Sequence, residues 1–249
     1  MCELFGFSAS EPEDITNELR EFFSHSVEHP HGFGLMCDGK LYREASRACD
    51  SKALSSFLDS LPPQRAMLAH IRFATVGSVK EENCHPFVGR DITGREWTLI
   101  HNGTIYSGSR LINGIYRQKG DTDSERLFIY MIDKLNKAQQ DGELCMRERF
   151  ELIDEIVVSL SPRNKLNLII YDGELMYVHK NMEQTLSLRK LGSGVMFSTR
   201  PLDDGQWEDV PLSQLVAYRD SERVFTGTSH GAVFESALSH ITENDAMNI

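Results

Sequence analysis

This sequence lacks the long apolar runs and basic segments that mark membrane and nucleic-acid-binding proteins. None of its hydrophobic stretches approaches the roughly 20 residues that a transmembrane helix needs, and its acidic N-terminus has no signal-peptide pattern. It contains 26 Lys and Arg against 37 Asp and Glu, for a net charge of −11. Such a charge disfavours contact with nucleic acids and anionic membranes. We therefore expect a cytoplasmic protein that has neither partner.

Cysteine is also scarce, and its arrangement argues against two kinds of site. The five cysteines are odd in number, form no C-x-x-C pair and do not combine with histidines at zinc-binding spacing. A disulfide framework and a structural metal site are therefore both disfavoured. Free thiols in a reducing compartment are the expectation.

What the sequence does contain is typical of one globular α+β domain. Hydrophobic residues make up 40% and charged residues 25% of the 249 positions, which is enough apolar material for a substantial core. No Pro-, Gly- or Ser-rich linker interrupts the chain, so we expect a single domain over residues 1–249. Predicted strands outnumber helices and hairpin turns recur, which indicates largely antiparallel sheets.

Hydrophobic periodicity predicts the individual elements. Ser10 is predicted to cap a first helix that has Pro12 in its first turn. Further helices are predicted over residues 51–61, 123–138 and 145–160. Strands are predicted over residues 4–7, 35–37, 40–42, 67–74, 97–101, 166–171, 175–179, 194–199, 213–218 and 223–226. Residues 76–95 are expected to form a long loop, and the tail after Ser236 to be weakly ordered.

The first candidate for chemistry is Cys2, which follows the initiator methionine. If Met1 is removed, Cys2 carries both a thiol, with a pKa of about 8.5, and an α-amine, with a pKa of about 7.7–8.0. Part of that amine is neutral near pH 7 and can take the proton of the thiol, directly or through a water. Nucleophile and base then stand on one residue. Taken alone, a cysteine at position 2 is more often chance.

Two further segments offer groups suited to an amide substrate. Arg72 ends a predicted strand and could grip a carboxylate by two bonds, although an ion pair with a surface acid is the plainer explanation. Asn102-Gly103 offers a side-chain amide and a backbone N–H for an oxyanion. The same dipeptide is also the strongest two-residue hairpin signal, and on its own it predicts a turn.

The start of the third predicted helix adds an acidic residue. Thr122 and Glu125 fit a capping box, which leaves Asp123 free to bind an ammonium group. The alternative is a purely structural role for Asp123 at the positive end of the helix.

The predicted loop contains His85, followed by Pro86. It is either a site histidine or a loop residue placed by the proline. The adjacent Cys84 suggests a rival cysteine–histidine pair, although catalytic partners are usually neighbours in space rather than in sequence.

Together these groups are the parts needed to hold a γ-glutamyl amide. Arg72 and Asp123 would bind the α-carboxylate and the α-ammonium group, which leaves the side-chain amide at Cys2. Asn102 and Gly103 would then face the oxygen on which negative charge develops.

In this order, the segments resemble the motif set of the class II glutamine amidotransferases, which are N-terminal-nucleophile hydrolases. The resemblance covers residues 1 to about 128. The segments that carry it are Met1-Cys2, His70–Thr75, His85-Pro86, His101–Gly103 and Asp121–Asp123. It implies the four-layer αββα sandwich of that family, an α+β fold with two antiparallel sheets between helical layers.

The resemblance also assigns roles to residues of this sequence. It implies that Cys2 is the nucleophile, that Asn102 and Gly103 form the oxyanion hole, and that Arg72 and Asp123 bind the substrate. Two more residues are expected at the same pocket: Thr75 lining it and His85 close to it.

The second half of the chain resembles the small stand-alone YafJ-like group, in residues 166–173, 197–202 and 207–220. That group includes γ-glutamyl hydrolases of thiol pathways such as ergothioneine synthesis and glutathione breakdown. It commonly has Asp-Gly-Trp-Gly where this chain has His31-Gly32-Phe33-Gly34. We expect the smaller ring near the pocket to change which γ-glutamyl compound is accepted.

The leading hypothesis is therefore an amidohydrolase that acts on a small γ-glutamyl compound and needs no metal or organic cofactor. One alternative is the same chemistry delivering ammonia to a separate acceptor subunit. Another is a non-catalytic γ-glutamyl-binding module, which would follow if Met1 stays attached and ties up the α-amine. The leaving group and the oligomeric state stay open, and a homodimer would be compatible with the sequence.

Overall fold

The structure, a computed structural model, describes residues 2–235 and forms two antiparallel sheets within that range. In spatial order the first sheet contains β11 (Glu208–Asp209), β9 (Ser187–Leu191), β10 (Gly194–Ser198), β1 (Glu3–Glu13), β4 (Gln64–Ile71), β2 (Phe33–Cys37) and β3 (Lys40–Glu44). The second contains β13 (Glu222–Thr226), β12 (Val216–Arg219), β8 (Met176–His179), β7 (Lys165–Tyr171), β6 (Glu96–Thr104) and β5 (Phe87–Arg90). The prediction for the tail after Ser236 concerns residues outside the described part.

Each sheet has one face against helices and one against the other sheet. In β1, Phe5 and Phe7 are fully buried in a core that they share with Leu19 and Phe22 of α1 (Thr16–Ser24). The next helix, α2 (Lys52–Asp59), packs into the same core. Burial of a large apolar side chain contributes about 1.5–3 kcal/mol, so these phenylalanines anchor the helices to the first sheet.

Alternate residues of the same strand build the inner core. Leu4 of β1 points the other way from Phe5 and packs against Ile100 of β6 and Ile169 of β7. The two sheets therefore meet face to face through a shared apolar layer.

The outer face of the second sheet is covered by α3 (Asp123–Ala138) and α4 (Met146–Leu160). Leu99 of β6 is buried in this outer core, one residue away from the inward-facing Ile100. The layers run helix, sheet, sheet, helix, so the expected αββα arrangement of an α+β fold is confirmed.

Most predicted elements are present, and the third predicted helix has the predicted bounds. The first helix begins later than predicted, because Ser10 and Pro12 lie within β1. Asp14, not Ser10, accepts the hydrogen bond from the Thr16 N–H at 3.0 Å. The face predicted for that helix, which includes Leu19, is nevertheless the buried one.

Three strands were not predicted. The segment 76–95 contains β5 near its end, and β9 and β11 lie at one edge of the first sheet. Asn102-Gly103 is not a hairpin turn: both residues lie inside β6, opposite Asn167 and Leu166 of β7. The turn preference of the dipeptide is overridden because the second sheet supplies a partner strand along its whole length.

A buried ion pair supports the β7–β8 hairpin. The Arg149 guanidinium of α4 lies 2.9 Å from the Asp172 carboxylate, and both side chains are almost fully buried. Asp172 also accepts hydrogen bonds from the backbone of Leu175 and from the Tyr177 hydroxyl. The helix and the hairpin are thereby joined through one carboxylate.

Across residues 2–235, none of the helices has the length and apolarity needed to cross a bilayer.

Candidate active site

The candidate site lies where the inward faces of the two sheets meet at one end. Cys2 precedes β1 and is two residues before the inward-facing Leu4, so its side chain continues on the same face. Arg72 follows β4, whose Ile71 pairs with Glu3 of β1. From the facing sheet, Asn102 is two residues beyond the inward-facing Ile100. The alternation of the strands thus directs three of the predicted residues toward one gap.

The Cys2 thiol is held against the backbone beside Arg72. The Phe73 N–H donates to the sulfur, and the thiol donates to the Phe73 carbonyl, each at 3.4 Å. Burial raises the pKa of the thiol, whereas the Phe73 hydrogen bond and the positive charges of Arg72 and Lys165 lower it. Burial outweighs the other effects, so the pKa of this half-buried thiol is raised overall, and the two cations offset part of the rise.

Asn102 presents an amide N–H pair without an acceptor. Its side chain is buried, and within the described residues its Nδ2 has no hydrogen-bond partner. Its Oδ1 accepts a hydrogen bond from the Lys165 ammonium at 3.4 Å. A buried donor without a partner is costly unless a ligand completes it, which makes this amide a candidate ligand contact.

Gly103 is a position where only glycine fits. A Cβ built there would lie 2.8 Å from the Lys165 carbonyl carbon, and closer still to the Lys165 oxygen and to the His101 ring. Strand β7 therefore packs directly against the Gly103 backbone, next to the Asn102 amide.

The Arg72 guanidinium binds the loop that follows it. It donates to the carbonyls of Ser78 at 3.0 Å and Val76 at 2.9 Å, and more weakly to those of Gly77 and His31. No carboxylate in residues 2–235 forms an ion pair with it, so the surface ion-pair interpretation is wrong. Arg72 instead shapes the loop beside Cys2.

The same loop connects Arg72 to the start of α3. Ser78 donates from its backbone and its hydroxyl to the Asp121 carboxylate, at 3.1 and 2.9 Å. Thr122 then caps the helix by accepting from the Glu125 N–H at 3.2 Å. Asp123 is not the cap: it is buried, and its Oδ2 accepts from the Ile105 N–H at 2.6 Å, just beyond the end of β6.

His85 and Thr75 have different environments. His85 is buried behind a cis peptide bond to Pro86, and its ring packs on that of His70 at 4.2 Å. Burial lowers the pKa of both rings, that of His70 to about 3. Thr75 is exposed on the loop that Arg72 binds.

The rival pair of Cys84 with His85 does not form. The Cys84 thiol donates to the carbonyls of Glu44 at 3.3 Å and Lys80 at 3.6 Å, while the His85 ring faces His70 and Phe87. This alternative is wrong because neighbouring residues of an extended segment point in different directions.

Two residues near the site were missed by sequence reasoning. His101 bridges the strands and α3: its Nδ1 lies 2.9 Å from the Ser124 hydroxyl and its Nε2 lies 3.2 Å from the Lys165 carbonyl. Lys165 is almost fully buried at the start of β7. A lysine that opens an otherwise apolar strand was the available signal, because lysine is rarely buried without a partner.

Comparison with known proteins decides the family. A model described as "Glutamine amidotransferases class-II" matches residues 1–193. The chain belongs to the class II glutamine amidotransferases. Within residues 2–235 of this amidotransferase, no group of three or more His, Cys, Asp or Glu side chains could hold a metal ion.

Relatives of this amidotransferase support the stand-alone group. The YafJ protein of Escherichia coli K12 is 30% identical over 72% of each chain. A γ-glutamyl-hercynylcysteine sulfoxide hydrolase of Mycolicibacterium smegmatis is 27% identical over 76% of this chain and 72% of its own. A crystal structure from Pseudomonas aeruginosa, described as a predicted glutamine amidotransferase, is 20% identical, has a TM-score of 0.63 and covers 90% of this chain and all of its own. The first half of the sequence therefore identified the family and its fold correctly.

The expected position of the Phe33 ring near the pocket is wrong. Phe33 is fully buried in the helix-facing core of this amidotransferase, with its ring 5.8 Å from that of Phe23. It lies on the face of the first sheet opposite to that of Leu4 and Cys2. His31 of the same motif contacts the segment beside Cys2: its Nδ1 accepts from the Ala74 N–H at 2.9 Å, and its ring lies 5.1 Å from that of Phe73.

Proposed function

We propose that this amidotransferase hydrolyses a γ-glutamyl amide through a thioester on Cys2, releasing glutamate and ammonia or an amine. The observation that carries the proposal is that Lys165 links the two groups: its charge acts on the Cys2 thiol, and it donates to the Asn102 amide, whose Nδ2 has no partner within the described residues. A nucleophile and an unsatisfied donor that face one gap are what acyl transfer requires.

The first step forms the thioester. The α-amine of Cys2 takes the thiol proton, and the sulfur attacks the γ-carbonyl carbon of the substrate. The carbonyl oxygen becomes an oxyanion that accepts from Asn102 Nδ2 and the Gly103 N–H. The C–N bond then breaks, and the protonated α-amine gives its proton to the leaving amine.

The second step regenerates the enzyme. The neutral α-amine deprotonates a water molecule, which attacks the thioester carbonyl. The C–S bond breaks, glutamate leaves with the new oxygen, and the proton returns to the cysteine. This route requires Cys2 to be the first residue of the mature chain, because an amine in a peptide bond is not a base.

In this proposal, charged residues on either side of the gap orient the substrate. Arg72, whose guanidinium is fixed by the loop carbonyls, would bind the α-carboxylate, and Asp123 would bind the α-ammonium group. Thr75 would line the pocket, and His85 would support its floor without contacting substrate, since its ring is packed against His70. The similarity to a γ-glutamyl-hercynylcysteine sulfoxide hydrolase supports an amine, rather than ammonia alone, as a leaving group.

The test measures glutamate release from glutamine, γ-glutamyl dipeptides and γ-glutamyl thiols. Wild type and Cys2→Ala are compared, with Cys145→Ser as the control, because Cys145 is an exposed thiol at the start of α4. We expect release by wild type and the control and none above background by Cys2→Ala. Equal release by Cys2→Ala would refute the thioester.

Intact mass and co-purification separate the remaining alternatives. A purified native chain that begins with Met1 and binds glutamine without turnover would favour a binding module. A partner that co-purifies and consumes ammonia would favour a glutaminase subunit.

A further inference from the structure

The buried Lys165 has no role in the reaction as derived above. It opens β7 opposite Thr104, while Asn102 lies opposite Asn167, so Lys165 and Asn102 are diagonal neighbours on the inward face. Side chains placed in this way can reach one another. The Lys165 ammonium indeed donates to Asn102 Oδ1 at 3.4 Å, and its charge acts on the Cys2 thiol.

The chemistry of this contact fixes the orientation of the Asn102 amide. An ammonium group has three donors and no acceptor, so only the oxygen side of the amide can face it. The Nδ2 side must then point away from Lys165, and it has no acceptor within the described residues. If the amide rotated by half a turn, its oxygen would occupy the place of the donor and would repel a developing oxyanion.

We propose that Lys165 is a positioning residue that holds the Asn102 amide with Nδ2 directed at the oxyanion. This role rests on the hydrolysis proposed above. In this role Lys165 acts on the oxyanion through Asn102, in addition to the effect of its charge on the Cys2 thiol.

The protonation state of Lys165 gives the role a pH signature. Burial lowers the pKa of its ammonium to about 8, although the nearby Cys2 charge raises it. Two titratable groups face Lys165: the Cys2 thiol beside the first sheet and the His101 ring of β6. Burial lowers the pKa of His101, and the negative charge of Asp123 in turn acts to raise it. A neutral amine has a lone pair that can accept from Nδ2, so the preference for one amide orientation is lost once Lys165 is deprotonated.

Removal of Lys165 should therefore lower turnover rather than binding. Loss of a whole oxyanion donor lowers kcat by about 100- to 1,000-fold. An amide that is free to rotate is correctly oriented part of the time, so we expect Lys165→Met to lower kcat by a smaller factor, about 10- to 50-fold, with KM within about threefold. Because Lys165 loses its proton near pH 8, we expect the kcat of wild type to decline above that pH. The guanidinium of Lys165→Arg has donors and no acceptor and stays charged, so this variant should retain most of kcat and show no such decline.

A double-mutant cycle separates positioning from a general structural role. In an Asn102→Ala background, Lys165→Met should lower kcat by less than about threefold, because the amide that it orients is absent. Lys180→Met is the matched control: Lys180 is as deeply buried, at the end of β8, and pairs with Asp209 rather than with the site. We expect that control to keep wild-type kcat. If Lys165→Met does not fold, as judged by its melting curve, Lys165→Gln takes its place in the cycle.

The outcomes distinguish the two proposals. Active wild type with additive effects of Lys165→Met and Asn102→Ala, or an unchanged kcat in Lys165→Met, overturns the role of Lys165 alone. Wild type that releases no more glutamate than Cys2→Ala overturns the proposed hydrolysis, and the role of Lys165 with it.

Discussion

The Gly103 backbone offers a sharp test of how tightly the candidate site depends on the fold. In Gly103→Ala, the new Cβ would lie 2.8 Å from the Lys165 carbonyl carbon, against an ordinary contact of 3.4 Å or more. Strand β7 must therefore move by at least about 0.6 Å, and further for the Lys165 oxygen, which lies nearer still. Overpacking of this kind costs about 1–3 kcal/mol.

This displacement predicts two measurable effects. For a chain of this size, 1 kcal/mol corresponds to roughly 2–4 °C in Tm, so a cost of about 1–3 kcal/mol should lower Tm by about 2–12 °C. A misplacement of about 1 Å can lower turnover by about 100-fold, and the shifted strand carries Lys165, the partner of Asn102. Both effects can be read from thermal melts and from glutamate release.

A matched glycine in the neighbouring strand serves as the control. Gly89 lies in β5, and a Cβ there meets only the ring edge of Phe128, at 3.0 Å, which is a side chain that can tilt. We expect Gly89→Ala to lower stability by less than about 1 kcal/mol and to keep turnover. If Gly103→Ala were as stable and as active as Gly89→Ala, the close packing of β7 on the site would be refuted.

Three further predictions concern the framework. Arg149→Met leaves the buried Asp172 carboxylate without its partner and should cost about 3–5 kcal/mol in urea unfolding, whereas Arg147→Met, which breaks an exposed pair, should cost under about 1 kcal/mol. Phe33→Trp should destabilise the helix-facing core by about 1–3 kcal/mol in thermal melts with an unchanged order of substrate preference; a changed order would contradict the assignment of that side chain to the far face. Burial lowers the pKa of His70 from 6.5 to about 3, so the unfolded chain binds the extra proton, and stability should be full above pH 6.5 and fall as the pH drops toward 3. His70→Leu should flatten that slope in unfolding curves measured across the range, and an identical slope would count against it.

How much the sequence could predict depends on how local each signal is. The helix at residues 123–138 was predicted with its bounds, because its periodic apolar face and the Thr122 cap lie within the segment itself. Ser10 was misassigned as a cap because its backbone N–H donates to the Ser193 carbonyl at 3.3 Å, a partner that lies far away in the chain. A helix cap contributes only about 1 kcal/mol to stability. The free energy gained by pairing with a partner strand is larger, so the pairing decides the conformation.

The candidate site shows the same limit. The motif order identified the family, and the structure brings Cys2, Arg72 and Asn102 to one gap, while the roles given to them stay predictions. Lys165 could not be assigned to the site from sequence, because its contact with Asn102 depends on the register between β6 and β7. Phe33 was misplaced because the motif gives its position in the chain and not the face of the pleat on which it lies.

The division of the site between two sheets has a practical consequence. The sulfur lies beside one sheet and the Asn102 amide on the other, and the apolar layer that includes Leu4, Ile100 and Ile169 packs the two sheets together. Modest loosening of that layer, by warming or mild denaturant, would spread the two halves apart while each sheet keeps its own hydrogen bonds. Activity should then disappear before circular dichroism records any loss of strands, so a turnover assay would serve as an early sensor of partial opening.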